Sequence, residues 1–554
     1  MRERLEKVGT VIGGACRRPG SGPSSRVRCP LVLVLALTCS VALSCRERGG
    51  RRIGRPLVVV CVDGATWDVI DPLVARGELP HLRGLVERGA RCDLVTLPPT
   101  QSPVVWTTYA TGVFPRIHNV LDFTYPFGGG GRKRPVEATE RRAPAIWNVA
   151  SDAGRSVGVV GYYVTHPAEE VNGFIVSDAL MEGRRGSTYP PELAGGLELI
   201  GVPPEQHPIF SEFLGWDYNP LDSVDPNSPL QAPSKIIQGA VDSAVIRDRN
   251  VCTTALSLQE KGVDLFMTYL RVIDHASHRT WRYFDGTDFP EPSDPVSQEL
   301  LEDTIPAAYR LVDDFIGELL AAYGEDVNVV VVSDHGFGSA TGDYAIPDAQ
   351  LAAQLTGAHR YDGLLLAAGP DIRAGVYEHI SLMEVAPLLM ALLDLPISAE
   401  LPGRLPEELL QPGFLKSGPI KTTNRYESEW NFVGVAPASE EDDRRALEGL
   451  RALGYVDSSV EAGRPDSRSA GDLWSGDANL KLKVLAGEIL FHLMRNNQEE
   501  ASRLMGLLAD RDPEAAKAMP YYLVGEAKKI KESFSFEVFP PRTVTAFSRS
   551  WVQK

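Results

Sequence analysis

Three aspartates follow apolar runs that are typical of buried strands. Asp63 stands directly after "VVVCV", Asp274 directly after "FMTYLRVI" and Asp334 directly after "VVVVS". In open α/β sheets, ligands bind outside the carboxyl ends of the strands, so the pattern predicts that these carboxylates meet at one edge of a sheet. A lone aspartate after a strand is most often a turn former. The prediction therefore depends on the residues that accompany the three acids.

Histidines accompany two of the acids, and a third histidine precedes another apolar run. In "DHASH", His278 follows Asp274 by four residues, so that on a helix both side chains point the same way. "SDHGFG" places His335 beside Asp334, and "GAHRYDG" places His359 just before the next run. Mixed histidine and aspartate ligands suit zinc-class ions where no thiolate is offered. The spacing therefore predicts a metal centre.

A single serine stands where a helix pattern begins. The stretch "LPPTQSPVVWTTYATG" places Ser102 before a run that ends at Gly112. Serine is a common helix cap, because its oxygen accepts an orphan backbone N–H. It is also a nucleophile whose transferred group the same N–H groups can hold. The stretch alone leaves both interpretations open. Trp106 and Tyr109 in this run are candidates for lining a substrate pocket, although aromatic residues at helical spacing are more often core.

Apolar runs alternate with helical patterns along the chain. The runs lie at 57–62, 156–164, 264–272, 327–334 and 363–369, with helical patterns between them at 82–88, 236–260 and 299–323. Continuous apolar strands belong to parallel sheets that are covered on both faces. The sequence therefore predicts an α/β fold, a three-layer sandwich around a mostly parallel sheet.

Composition divides the chain into segments. We predict a catalytic domain over 56–410, interrupted at 180–235 by a Pro- and Gly-rich insertion that forms a cap or substrate loop. A linker is expected over 411–471, a helical segment over 472–530 and a tail over 531–554. The helical segment resembles one tetratricopeptide helix pair, and a single repeat cannot bury its own apolar face. We expect it to pack on the main domain, and it is the candidate surface for a protein partner.

The first 45 residues form a basic leader with an apolar run, followed by a linker at 46–55. The apolar run, "PLVLVLALTCSVAL", is short for a membrane span and suits the hydrophobic core of a signal peptide. "ALSC" resembles a bacterial lipoprotein cleavage box in which Cys45 is lipidated, and an uncleaved anchor is the alternative. Both predict an exported protein, attached to the membrane on the periplasmic or extracellular side.

Charge and cysteine content exclude some classes of protein. The formal net charge of −17 argues against nucleic acid as a partner, and an anionic substrate would need local cations such as metal ions. Four of the seven cysteines lie in the leader. The other three, Cys61, Cys92 and Cys252, have no paired spacing, so neither a disulfide framework nor a cysteine zinc site is predicted.

Several motifs together resemble a known family. They are "VDGATWDVIDPLVARGELPHLRGLVERGA", "PPTQSPVVWTTYATGVFPRIHNVLDF", "DHASH", "VVVSDHGFG", "GAHRYDGLLLAAGPDIRAG" and "HISLMEVAPLLMALLDLP". In this order, over about 57–396, the chain resembles the alkaline phosphatase superfamily in its type I phosphodiesterase/nucleotide pyrophosphatase branch. The resemblance implies an alkaline phosphatase-like fold and a phosphate-ester substrate.

The resemblance also implies a role for each candidate residue. Ser102 corresponds to the nucleophile, and the cofactors are two divalent metal ions, with zinc favoured. One ion would be held by Asp274, His278 and His359. The other would be held by Asp63, Asp334 and His335, and would also bind the oxygen of Ser102.

The expected activity is hydrolysis of a phosphate diester through a covalent phosphoryl-serine intermediate. The stretch "SPVVW" lacks the Cys/Ser-x-Pro-x-Arg pattern of sulfatases, which argues against that branch. Two alternatives remain: a phosphomonoesterase or phosphoryl transferase on the same site, and a catalytically idle binding protein. After Ser102 the chain is apolar and offers no Lys or Arg before Arg116, which favours a diester. Arg184, Arg185 or Lys235 of the insertion would favour a monoester if they covered the site.

Overall fold

The computed structural model describes residues 54–127, 132–180, 184–199, 213–214, 231–346, 354–432, 439–452, 456, 461–462, 473–534, 538 and 543–552. The predicted leader 1–45 and most of the linker at 46–55 lie outside these residues, as does much of the insertion at 180–235. Among the helices in the described part of the chain, none combines the length and apolar character that a membrane span requires.

The strands are β1 (Leu57–Val62), β2 (Ala90–Val95), β3 (Thr124–Tyr125), β4 (Arg132–Pro135), β5 (Val157–Val160), β6 (Gly173–Val176), β7 (Thr188–Tyr189), β8 (Leu265–Leu270), β9 (Asn328–Ser333), β10 (Gly336–Ser339), β11 (Gly357–Arg360), β12 (Asp362–Ala368), β13 (Gly375–Ser381), β14 (Ile397–Ser398), β15 (Thr422–Thr423) and β16 (Glu461–Ala462). The helices are α1 (Trp67–Arg76), α2 (Pro80–Arg88), α3 (Ser102–Thr111), α4 (Pro115–His118), α5 (Ile146–Asp152), α6 (Gln231–Gln259), α7 (Val272–Phe284), α8 (Pro295–Leu301), α9 (Thr304–Tyr323), α10 (Val385–Leu392), α11 (Pro412–Lys416), α12 (Glu440–Ala452), α13 (Ala478–Met494), α14 (Gln498–Arg511), α15 (Pro513–Ser533) and α16 (Thr543–Val552).

A nine-stranded sheet forms the centre of the fold, in the order β13-β2-β12-β9-β1-β8-β5-β6-β7. β1 pairs in parallel with β8 and β9, and β5 pairs in parallel with β6 and β8. β12 runs antiparallel to both β2 and β9, and the edge strand β7 runs antiparallel to β6. The predicted fold class, an α/β sandwich around a mostly parallel sheet, is confirmed.

The central strand β1 shows how the sequence builds the layers. All six of its residues are buried, and alternate side chains enter different hydrophobic clusters. Val58, Val60 and Val62 pack with α1, α2, α6, α7 and α9 on one face. Leu57, Val59 and Cys61 pack with α3, α5 and α10 on the other. The period of two in the strand thus gives a sheet covered on both faces.

The apolar runs predicted five strands correctly and missed others. β2 was missed because Arg91 and Asp93 interrupt its apolar pattern. Arg91 remains at the sheet surface, since its guanidinium lies 4.0 Å from the Trp67 ring centre and pairs with Asp71 at 2.6 Å. The apolar pattern also gives no sign that β12 runs in the reverse direction.

The C-terminal helices α13 to α16 form a third cluster with residues of the main domain. Val95, Leu97, Phe114 and Tyr361 pack with the apolar faces of these helices. The expectation that the helical segment packs on the main domain is confirmed. The segment 411–471, predicted as a linker, contains α11, α12 and the short strands β15 and β16.

A buried histidine connects α3 and α4. The Nε2 of His118 lies 2.9 Å from the hydroxyl of Thr108, and its Nδ1 accepts the Val120 N–H at 3.1 Å. The Thr108 hydroxyl itself donates to the carbonyl of Val104. Nε2 is therefore the protonated nitrogen of a neutral imidazole. Burial, with a smaller effect of Arg141, lowers the pKa of His118 to about 3.

Replacing His118 with glutamine should reduce the acid sensitivity of the fold. An unfolded histidine has a pKa near 6.5, so between about pH 6.5 and 3 the unfolded chain binds a proton that the folded chain does not. This residue therefore lowers the free energy of unfolding as pH falls, by up to about 1.4 kcal/mol per pH unit. Denaturant unfolding at several pH values, under identical metal conditions, should give a shallower slope for His118→Gln. Parallel slopes for the two proteins would contradict this account.

Candidate functional site

The sheet topology brings the predicted ligands to one edge. Asp63 and Asp334 directly follow the parallel strands β1 and β9, and Asp274 lies in the first turn of α7, just past β8. β12 is antiparallel, so its first residue lies at the same edge, where Asp362 pairs with Val95. His359 precedes that residue by three positions. The reversed strand explains how a histidine from the amino end of β12 joins acids at the carboxyl ends of other strands.

The first ligand group consists of Asp274, His278 and His359. The Nε2 atoms of the two histidines lie 2.9 Å apart, and the Oδ1 of Asp274 lies 3.4 Å and 3.3 Å from the Nε2 of His278 and His359. Asp274 and His278 lie one helical turn apart on α7, as the four-residue spacing predicts. Three potential ligand atoms therefore converge on one point.

The other ring nitrogens fix how these histidines face each other. The Nδ1 of His278 lies 3.1 Å from the carbonyl oxygen of Gly357, and the Nδ1 of His359 lies 3.2 Å from that of Thr100. A carbonyl only accepts, so each Nδ1 carries the proton and each Nε2 of the neutral ring presents a lone pair. Two lone pairs at 2.9 Å repel each other unless a cation lies between them. This arrangement fits a metal ion and is the usual way in which metal-binding histidines are oriented.

The second ligand group consists of Asp63, Asp334 and His335, all fully buried. The Nε2 of His335 lies 3.3 Å from Asp63 Oδ1 and 3.5 Å from Asp334 Oδ2, and its Nδ1 lies 3.1 Å from the carbonyl of Gly336. Asp63 Oδ1, Asp334 Oδ2 and His335 Nε2 have no hydrogen-bond partner. Buried polar atoms without partners are costly, and three of them aimed at one point fit a cation. The two groups adjoin, because the His335 and His359 rings stack with centres 3.6 Å apart.

Electrostatics in the first group favour its ligand form. Burial lowers the pKa of His278 to about 4, against the opposing effect of Asp274. Burial and the neighbouring His335 also lower the pKa of His359. Burial alone would raise the pKa of Asp274, but His278 and His359 outweigh it and hold that pKa well below its usual value. At neutral pH the group therefore offers two neutral imidazoles and one carboxylate.

The second group contains an excess of negative charge. Burial raises the pKa of Asp334 well above its usual value, and the nearby carboxylates of Asp63 and Asp274 add to the effect. Three carboxylates buried this closely cannot all ionise without compensating positive charge. A divalent cation supplies that charge and keeps the carboxylates ionised, which again fits a metal at this group.

Ser102 is buried at the first residue of α3, and Gln101 occupies the cap position. The interpretation of Ser102 as the helix cap is therefore wrong, because the cap is the residue before it. Residues on both sides of it contact the ligand groups: Thr100 accepts the Nδ1–H of His359, and Trp106 Nε1 donates to Asp63 Oδ2 at 3.3 Å. In the sequence, Ser102 thus lies between Thr100, which contacts the first group, and Trp106, which contacts the second.

The sequence did not reveal some residues that support the ligands. The Tyr269 hydroxyl donates to Asp63 Oδ2 at 2.5 Å, and the Thr96 hydroxyl donates to the backbone carbonyl of Asp334. The Phe337 ring lies 4.8 Å, 5.6 Å and 5.1 Å from the rings of His278, His335 and His359. No sequence signal marks these residues, because a buried tyrosine, threonine or phenylalanine is ordinary core composition.

Several other predicted residues have different roles in the structure. Trp106 and Tyr109 are buried in the core, so the prediction that they line an open substrate pocket is not supported. Arg184 is buried and donates to Glu137 at 2.6 Å, so its charge is already paired with a carboxylate. Arg185 is exposed, and the side chain of Lys235 lies outside the described residues.

Two further clusters combine histidine with carboxylates, and existing contacts already use their acids. In His81, Asp313 and Asp314, the carboxylate of Asp313 accepts the backbone N–H groups of His81 and Leu82. In Glu488, His492 and Glu500, the carboxylate of Glu488 accepts two hydrogen bonds from Arg116. The second group at the sheet edge differs because Asp63 Oδ1, Asp334 Oδ2 and His335 Nε2 are buried without a hydrogen-bond partner.

The type I phosphodiesterase/nucleotide pyrophosphatase family model matches residues 57–387, which include Ser102 and all six candidate ligands. The chain belongs to this family. Its members are phosphoester hydrolases, and metal dependence is general among them. The predicted family and enzyme class are therefore confirmed.

Solved structures with a similar fold include the murine ectonucleotide pyrophosphatase/phosphodiesterase 5, at 15% identity and a TM-score of 0.38, covering 64% of this chain and 100% of that one. Phosphonoacetate hydrolase from Sinorhizobium meliloti 1021 is 18% identical with a TM-score of 0.32, covering 52% of this chain and 58% of that one. No curated protein matches in sequence.

Removing one histidine from each group should release one metal ion at a time. We expect the protein to bind two zinc-class ions, His359→Ala to lose the ion of the first group, and His335→Ala to lose that of the second. His81→Ala, a histidine outside both groups, is the matched control and should keep both ions. Metal analysis after gel filtration measures the stoichiometry. Retention of two ions by both ligand variants would show that these residues do not hold them.

Proposed function

We propose that this phosphoester hydrolase cleaves phosphate diesters through a covalent phosphoryl-Ser102 intermediate, with a divalent cation, zinc favoured, at each ligand group. The observation that carries the proposal is the position of Ser102. It begins a helix that contacts the second group through Trp106, and it follows by two residues the carbonyl that orients His359. Bound cations would supply Lewis acidity and positive charge, which make a serine hydroxyl competent at neutral pH.

The residues of the chain then have distinct tasks. The Ser102 oxygen attacks phosphorus, so that a serine–phosphorus bond forms as the ester oxygen–phosphorus bond breaks and the leaving alcohol takes up a proton. Water next attacks phosphorus, releases the phosphomonoester and returns the hydroxyl to Ser102. The positive end of α3 favours the phosphoryl oxygens throughout. Trp106 and Tyr269 hold Asp63 in place by donating to its Oδ2.

The surroundings of Ser102 favour a diester over a monoester. Val104 and Val105 are buried and apolar. Arg116 is paired with Glu488, with nitrogen–oxygen distances of 2.9 Å and 3.0 Å, and Arg184 with Glu137. These cations are thus already neutralised by carboxylates. A diester carries one charge fewer than a monoester and brings an organic group that an apolar wall can bury.

The alternative of a catalytically idle binding protein fits the site less well. Both ligand groups are complete, and their histidines are oriented by hydrogen bonds through Nδ1. The unpartnered buried atoms of the second group are also costly to the fold. A site without chemistry has no physical need to retain this arrangement.

Ser102→Ala should abolish turnover while both ions remain bound. Loss of the nucleophile removes the covalent route, and we expect kcat to fall by at least about 1,000-fold. Ser102→Thr keeps a hydroxyl at the same position and should retain turnover well above that of the alanine variant. Rapid-quench trapping with a labelled diester should detect phosphorylated wild-type protein and none in Ser102→Ala. A near-wild-type rate for the alanine variant would exclude Ser102 as the nucleophile.

A chromogenic diester should be a better substrate than the matching monoester. We expect kcat/KM to be at least about tenfold higher for the diester, which corresponds to about 1.4 kcal/mol of transition-state binding. Both rates should be measured at one pH and one zinc concentration. A preference for the monoester would favour the phosphomonoesterase alternative. It would point to Arg185 or Lys235 of the insertion, or to Arg271, which directly follows β8 at the same sheet edge and has a buried Nε without a hydrogen-bond partner.

A further inference from the structure

The C-terminal helix α13 packs directly on the loop that leads into Ser102. A Cβ atom added to Gly487 would lie 1.9 Å from the carbonyl oxygen of Pro98, so the two backbones are in contact and only glycine fits. Pro98 is two residues from Thr100, whose carbonyl orients His359, and four from Ser102. The position of this loop therefore depends on α13.

Further contacts hold α13 against the residues beyond α3. Glu488, next to Gly487, is buried and accepts hydrogen bonds from the Nε and Nη2 of Arg116. The Phe491 ring packs edge-on against Phe114, with centres 5.3 Å apart. A bidentate pair with a buried carboxylate and an aromatic contact are both specific in direction, so together they favour one orientation of α13 on the catalytic domain.

A second C-terminal helix, α15, contacts the hairpin formed by β10 and β11, which carries His359. The hydroxyl of Tyr361 donates to Glu526, and the N–H of Tyr361 donates to the hydroxyl of Ser533 at 3.1 Å. The hydroxyl of Tyr344 donates to the carbonyl of Lys529 at 3.0 Å. Tyr361 lies two residues after His359, so these contacts attach α15 to the backbone segment that carries His359.

The loop and the hairpin are themselves joined by two hydrogen bonds. Thr96 N–H donates to the Tyr361 carbonyl at 2.9 Å, and His359 Nδ1 donates to the Thr100 carbonyl at 3.2 Å. We propose that α13 and α15 act as a clamp on these two segments and thereby set the orientation of His359 in the first ligand group. Gly487 and Tyr361 are then positioning residues. The segment predicted to contact a partner protein serves the catalytic domain of its own chain.

Gly487→Ala tests the clamp. The added methyl group must push the Pro98 carbonyl away from α13 and weaken the hold of Thr100 on His359. Gly506→Ala in α14 and Gly525→Ala in α15 are matched controls, since a Cβ at either position meets no atom within 4 Å. Each variant is made in the full chain carrying either His335→Ala, which leaves the first group as the metal site, or His359→Ala, which leaves the second. Zinc affinity is measured by competition with a chromogenic chelator.

We expect Gly487→Ala to weaken zinc binding at the first group by about tenfold or more, because loss of the contacts that orient a metal ligand commonly lowers metal affinity by that amount. The zinc affinity of the second group should change less than twofold. Both controls should leave both affinities unchanged. Equal loss at the two groups would indicate general destabilisation and overturn the proposal, as would no loss at either. The measurement needs no turnover: a wild-type protein that binds both ions but cleaves no ester would refute the proposed function and leave the clamp intact.

A second variant covers the case in which Gly487→Ala does not fold. Tyr361→Phe removes the hydroxyl that donates to Glu526 and retains the ring. Tyr521→Phe, an exposed tyrosine of α15, is its control. We expect Tyr361→Phe to weaken zinc binding at the first group alone, and an unchanged affinity there would overturn the role of α15.

Discussion

Two neutral imidazoles present their Nε2 atoms to each other at 2.9 Å, and much of the structure serves to keep them there. The Nδ1 of each ring donates a hydrogen bond to a backbone carbonyl. The acceptor is Gly357 for His278 and Thr100 for His359. The two carbonyls belong to different segments of the chain. The site therefore requires that a hairpin, a loop and a helix keep fixed relative positions, and that positive charge balances the lone pairs and carboxylates gathered there.

The sheet satisfies the first of these requirements. Parallel strands deliver acids to one edge, and the reversed β12 brings a histidine to that edge from the other chain direction. The Phe337 ring fills the space between three imidazoles, and Gly64 makes room for it, since a Cβ there would lie 2.6 Å from that ring. Gly64 also has a φ of +74°, a conformation that glycine adopts without strain. Glycine at position 64 therefore lets the chain turn directly after Asp63 without a clash with the Phe337 ring.

The sequence allowed much of this candidate site to be predicted, because its candidate ligands follow local sequence patterns. Asp63 and Asp334 follow continuous apolar strands, and the four-residue spacing of Asp274 and His278 is helical. His359 was placed by its position before an apolar run and by resemblance to a family. The supporting residues could not be predicted, since Tyr269 and Phe337 act through tertiary packing that no local pattern encodes. The charged residues of β2 hid a strand for a similar reason: Arg91 is accommodated by Trp67 and Asp71, distant in sequence.

The C-terminal helices also change how the charges near the site are understood. Arg116 is the nearest basic residue after Ser102 in the sequence, and by itself it would suggest a cation for a phosphate group. In the structure, Glu488 of α13 accepts hydrogen bonds from the Nε and Nη2 of Arg116. The contact between α13 and the catalytic domain thus also pairs this cation with a buried carboxylate. On the proposed function, the binding of an anionic substrate would then depend on cations held by the two ligand groups.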